Sequence, residues 1–176
     1  MFNYMNGINY DNYTQFVHDV DICRRDMLYV FLNDMFPHAG FAHKTHFSKW
    51  SNYKFLNGSV LNIADPMCQI YEGLRLGWYY GNMDFSLRIY VSEIVKLVAE
   101  KMEVSNDHII FYGSSDGSAA VIECASHIEY TKAVSINPQI ALFKHFYAHD
   151  FERITYNNLL PEDSRWHRNN CTYATG

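Results

Sequence analysis

The chain has 176 residues, enough for one domain with a substantial core. At 48% hydrophobic and 19% charged it has a globular composition, which excludes intrinsic disorder. A net charge of −5 with no basic cluster argues against a nucleic-acid surface, and no apolar run approaches the ~20 residues of a membrane span.

Residues 1 to about 24 are polar and aromatic, with Asn-Gly and Asp-Asn turn signals, and read as a lead-in segment. They lack the basic and apolar regions of a signal peptide, so a cytoplasmic protein is the default expectation. Met27-Leu28-Tyr29-Val30-Phe31-Leu32 is a continuous apolar, β-prone run, the sign of a strand buried on both faces. The loop after it carries His38, His43 and His46. Ser59 to Ala64 is a second strand, stopped by Asp65-Pro66, and a long connection over 67–84 follows. Within that connection, Gly77-Trp78-Tyr79-Tyr80-Gly81 either lines a ligand groove or packs as a corner.

Leu87, Val91, Ile94, Val95, Val98 and Met102 recur at three and four residues, predicting an amphipathic helix of about 17 residues. His108 to Tyr112 is the third strand, a helix follows over about 117–128, and Ala133 to Ile136 is the fourth strand, closed by Asn137-Pro138. Some helical character recurs around 140–152, and residues 141–176 read as a partial cap or C-terminal extension of a single domain. Strands alternating with helices argue a mostly parallel sheet covered on both faces. Ligands collect at the carboxyl ends of such strands, which here emit the loops at 33–50, 65–84, 113–117 and 137–140.

Cys23, Cys68, Cys124 and Cys171 lie far apart, without a C-x-x-C pair, so neither a zinc site nor a disulfide framework is expected. Cys124 reads as a small buried hydrophobe. His38, His43 and His46 match no familiar zinc spacing, and His145 with His149 lacks the glutamate of H-E-x-x-H. No metal and no cofactor is expected.

Gly113-Ser114-Ser115-Asp116-Gly117 sits between a strand and a helix, the setting in which G-x-S-x-G forms a sharp corner that exposes the serine. The residues two before and two after the serine must be small, because the arms of the turn approach closely. A nucleotide-binding reading lacks both the G-x-G-x-x-G spacing and a P-loop lysine. Beside the corner, Gln139 is either a polar contact to substrate or part of a strand-end turn.

Over roughly residues 27 to 140, centred on Phe111 to Ala120, the chain resembles the α/β-hydrolase superfamily. Leu61-Asn62-Ile63-Ala64-Asp65-Pro66, Leu76 to Gly81 and Ser135-Ile136-Asn137-Pro138-Gln139 look like bacterial α/β-hydrolase-like proteins, some linked to capsule or other surface-polysaccharide loci. The resemblance implies an α/β fold, a mostly parallel sheet with helices on both faces, with the hydrolase-like core incomplete at the C-terminus.

It also implies Ser115 as nucleophile and the N–H of Asp116 as one oxyanion donor. The second donor would come from Asn33, Asp34 or Met35, without a glycine-rich loop. In the order serine, acid, histidine, the acid would be Asp150 or Asp163 and the base His167. The implied function is serine-dependent acyl hydrolysis or transfer on an acylated carbohydrate or other small ester. The alternative is a non-catalytic α/β-hydrolase-like module in a polysaccharide biosynthesis or export assembly. A sheet edge left unpaired would invite a second copy or a partner protein.

Overall fold

The computed structural model describes residues 9–10, 14–15, 18–21, 26–35, 55–71, 74–81 and 86–155. Strands β1 (Asn9–Tyr10) and β2 (Thr14–Gln15) form a small antiparallel pair. The remaining strands are β3 (His18–Asp21), β4 (Leu28–Leu32), β5 (Ser59–Ile63), β6 (Ile109–Ser114) and β7 (Lys132–Ile136). They build one sheet in the order β3-β5-β4-β6-β7. The four strands β5, β4, β6 and β7 run parallel, and β3 joins the β5 side antiparallel.

The expected mostly parallel α/β sheet therefore forms, with strand bounds within two residues of those read from the sequence. The segment read as a lead-in departs from that reading, since it supplies β1, β2 and β3, and the His18-Asp19-Val20-Asp21 of β3 has no apolar run to announce it. Backbone pairing from His18 opposite Ile63 to Asp21 opposite Val60 holds it in place.

Helices α1 (Met67–Ile70), α2 (Leu87–Met102), α3 (Asp116–Ser126) and α4 (Ala148–Thr155), with 3-10 turns at Asn106–His108 and Leu142–Lys144, complete the described elements. The short α1 falls in the stretch read as a plain connection. Helix α2 buries Leu87, Val91, Ile94, Val95, Ala99 and Met102, the stripe that its periodicity predicts. Glu103 ends it in the left-handed conformation, with the Val104 N–H returning to Ala99 O at 2.9 Å. Ser92 Oγ donates to Arg88 O and reaches Cys124 O at 3.1 Å, which ties α2 to α3. The buried Cys124 thiol is pushed up to about 12, chiefly by burial, and packs as a hydrophobe.

Because side chains alternate along a strand, Leu28, Val30, Leu32, Leu61, Ile63, Ile109 and Phe111 share one sheet face and join the core with α2, α3 and α4. Phe31 and Val60 point to the opposite face and are also buried, so that face is covered as well. At the far edge β7 is largely exposed, and among the described residues nothing pairs with its outer side. No described helix is long and apolar enough to cross a membrane.

Candidate active site

The end of β6 turns into α3 at Ser115, whose backbone takes φ 54° and ψ −117°. A non-glycine residue rarely adopts this conformation, which costs on the order of 1–3 kcal/mol. The two glycines make the corner possible. A Cβ on Gly113 would meet Gly117 O at 2.5 Å, and one on Gly117 would meet Leu32 O at 2.7 Å.

Hydrogen bonds lock the strained residue in place. The Ser115 N–H donates to Ile136 O at 3.0 Å, extending the β6–β7 ladder into the corner. Ser118 Oγ donates to Ser115 O and approaches Asn137 O at 3.3 Å. Asn137 itself has φ 54° and turns the chain beyond β7 so that Gln139 reaches back to the serine. Gln139 Nε2 then donates to Ser115 Oγ at 2.8 Å.

Trp78 sets the orientation of that amide. Its indole N–H donates to Gln139 Oε1 at 2.7 Å. The indole has no acceptor there, so the amide nitrogen must face Ser115. The buried Trp78 ring stands edge-on to Phe151 and to His145, each 5.8 Å away between centroids. Trp78 and Tyr79 are fully buried, so this part of the aromatic run is a packed corner, while Tyr80 lines a cleft.

Asp65 builds the corner from below. Its carboxylate accepts the N–H groups of Tyr79 at 2.8 Å and Met67 at 3.0 Å, bracing Trp78 and Tyr79 at φ 52° and 53°. Burial raises the Asp65 carboxyl to about 6, against the downward pull of those N–H groups. Tyr79 Oη in turn accepts the Asn33 N–H at 2.6 Å and donates to Ile63 O at 2.7 Å. Burial also keeps this phenol well above its ordinary pKa, so it stays neutral and able to donate.

That contact removes Asn33 from the three oxyanion-donor candidates, since its N–H is already engaged. The Asp34 carboxylate accepts Ser114 Oγ at 2.6 Å. Asp116 is 2% exposed, and its Oδ1 has no hydrogen-bond partner. Burial, then the charges of Asp65 and Asp34, push its carboxyl well above the usual range, while the N–H groups of Asp116 and Met35 pull the other way. Both N–H groups thus point at the Asp116 carboxyl, which joins the residue after the serine to the 33–35 loop.

Asp150 lies in the first turn of α4, and its charge adds to burial and to the charges of Asp65 and Asp116 in raising the Cys68 thiol. His145 and His149 do not share a helix face. His145 ends a 3-10 turn against Trp78, while His149 lies exposed on α4 beside Asp150. Asp163, His167, His38, His43 and His46 lie outside the described residues.

A cleft of about 570 Å³ is connected to the serine through Gln139, which lines its wall together with Arg88 and Glu123. Arg88 is 8% exposed, donates twice to Trp78 O and forms an ion pair with Glu123.

No family model matches the sequence, and no curated protein matches it significantly. Solved structures share its fold. The capsule O-acetyltransferase of Neisseria meningitidis serogroup A is similar with a TM-score of 0.64 and 13% identity, over 93% of this chain and 65% of that one. A second structure of that enzyme gives 0.60 and 12%, over 85% and 67%. Acetyl xylan esterase 1 of Thermoanaerobacterium gives 0.51 and 12%, over 95% and 64%. The chain spans about two thirds of the length of these proteins. Its fold is α/β-hydrolase-like.

Proposed function

We propose that the protein is a serine-dependent acyl hydrolase or acyltransferase acting on an acylated carbohydrate, with Ser115 as nucleophile. The observation that carries this reading is the backbone of Ser115, held at φ 54° between two glycines with no room for a Cβ. A fold maintains such strain where it serves function. Support for the substrate class comes from the similar structures, a capsule O-acetyltransferase and an acetyl xylan esterase.

In this reading Ser115 Oγ attacks the ester carbonyl carbon and passes its proton to a base, for which His167 remains the candidate. The carbonyl π electrons move to oxygen, where the N–H groups of Asp116 and Met35 stabilise the charge once the Asp116 carboxyl that they contact swings aside. Losing one such donor typically costs ~3 kcal/mol of transition-state stabilisation. The tetrahedral adduct collapses, the alcohol leaves with a proton, and acyl-Ser115 passes its acyl group to water or to a second hydroxyl. The raised pKa of the Asp116 carboxyl favours its neutral form, which lessens repulsion toward the oxyanion.

The second reading is a non-catalytic module of a polysaccharide assembly. It is favoured by one observation: among the described residues the hydrogen-bond partner of Ser115 Oγ is Gln139, an amide that cannot act as a base. Hydrolysis of p-nitrophenyl acetate by wild type and Ser115→Ala separates the two. Turnover that vanishes in the variant supports the enzyme, and equal background rates support the module.

A further inference from the structure

The cleft that Gln139 shares with Ser115 is lined by both polar and apolar side chains. Gln139 is in contact with Ser115 Oγ. Glu123 and Ser126 on α3 line the cleft with Arg88 of α2. Ile122 and Ile140, both exposed, also line the cleft. The volume of about 570 Å³ falls within the range of small-molecule sites.

Glu123 decides what fits. Arg88 is fixed by two hydrogen bonds to Trp78 O, so it holds Glu123 Oε2 at a set position. The Glu123 side chain is nonetheless 43% exposed, so it can meet a ligand. An extended aliphatic acyl group laid along the cleft would strip water from this carboxylate and give nothing back, an unfavourable exchange. A sugar ring avoids that loss, because its C–H faces can lie on Ile122 and Ile140 while its hydroxyl groups donate to Glu123.

We propose that this cleft is the subsite for the sugar ring of the ester, with Glu123 accepting the ring hydroxyls and Gln139 at the boundary with the reacting carbonyl. The proposal rests on the reading of Ser115 as nucleophile.

The test compares kcat/KM for methyl 6-O-acetylglucoside, which keeps its other hydroxyls free, with that for vinyl acetate, which has no ring. Wild type, Ser115→Ala, Glu123→Ala and Ile140→Trp are measured side by side. The ratio of sugar ester to vinyl acetate should fall at least tenfold in Glu123→Ala and in Ile140→Trp. Ile140 is 79% exposed, so its variant keeps the test decisive where loss of Glu123 unfolds the protein. An unchanged ratio in Ile140→Trp with a wild-type melting transition overturns the subsite alone. Wild-type rates no higher than those of Ser115→Ala overturn the nucleophile reading, and the subsite with it.

Discussion

Gln139 Nε2 donates to Ser115 Oγ at 2.8 Å, and the Trp78 indole N–H holds the other end of the same amide at 2.7 Å. The serine oxygen is therefore an acceptor in this contact, and its own proton stays available for a base. Gln139→Ala should leave the fold intact and let Oγ wander. Misplacing a reacting atom by ~1 Å can lower rates about a hundredfold, so Ser115 should react about tenfold to a hundredfold more slowly with a fluorophosphonate. A second-order labelling rate equal to wild type would remove Gln139 from the account.

The paired glycines are a steric requirement of the corner. Gly117→Ala would drive a Cβ to 2.7 Å from Leu32 O, a backbone atom that cannot swing away. Overpacking of this kind destabilises by about 1–3 kcal/mol. Urea unfolding should register that loss for Gly117→Ala, and likewise for Gly113→Ala. A change below ~0.5 kcal/mol, typical of a neutral surface substitution, would mean the corner has slack.

Tyr79→Phe deletes one hydroxyl and strands the Asn33 N–H that it accepts. A buried donor without a partner costs about 1–3 kcal/mol. The same change frees the start of the 33–35 loop, so amide exchange at Asn33 should quicken. Wild-type exchange and stability together would show that the phenol does not anchor this loop.

The buried carboxyls give the protein a distinctive response to pH. Asp65 rises from 3.8 to about 6, and Asp116 also rises, so the folded state binds more protons than the unfolded chain between their unfolded and folded values. Their favourable contribution is complete below about pH 4 and is lost as pH rises toward the folded values. For Asp65 this amounts to on the order of 3 kcal/mol. Asp116→Asn keeps the shape and cannot ionise. Its stability relative to wild type should therefore grow as pH is raised from 4 to 7 in parallel urea titrations. A difference that stays flat or shrinks would contradict the burial argument.

Most of the sheet was legible because its strands are short apolar runs. Leu28–Leu32 and Ser59–Ile63 carry enough hydrophobic signal to place themselves, and the three-and-four spacing of Leu87 to Met102 does the same for α2. Strand β3 was not legible, since His18–Asp21 is fixed by backbone pairing and has no apolar face to read.

The serine corner announces itself through local spacing, but its supports do not. Trp78 meets Gln139 across 61 residues and Tyr79 meets Asn33 across 46, and no local pattern encodes such pairs. The sequence marks Gln139 as lying beside the corner and Asp65-Pro66 as a strand stop, which the structure resolves into a carboxylate bracing Met67 and Tyr79.

The central claim is that Ser115 is a nucleophile made ready by its strained corner. Intact-mass measurement of wild type and Ser115→Ala after fluorophosphonate treatment tests it most directly. One adduct on folded wild type, mapped to Ser115 and missing from the variant, is the expected result. Folded wild type that remains unlabelled, or a variant that is labelled equally, would contradict it.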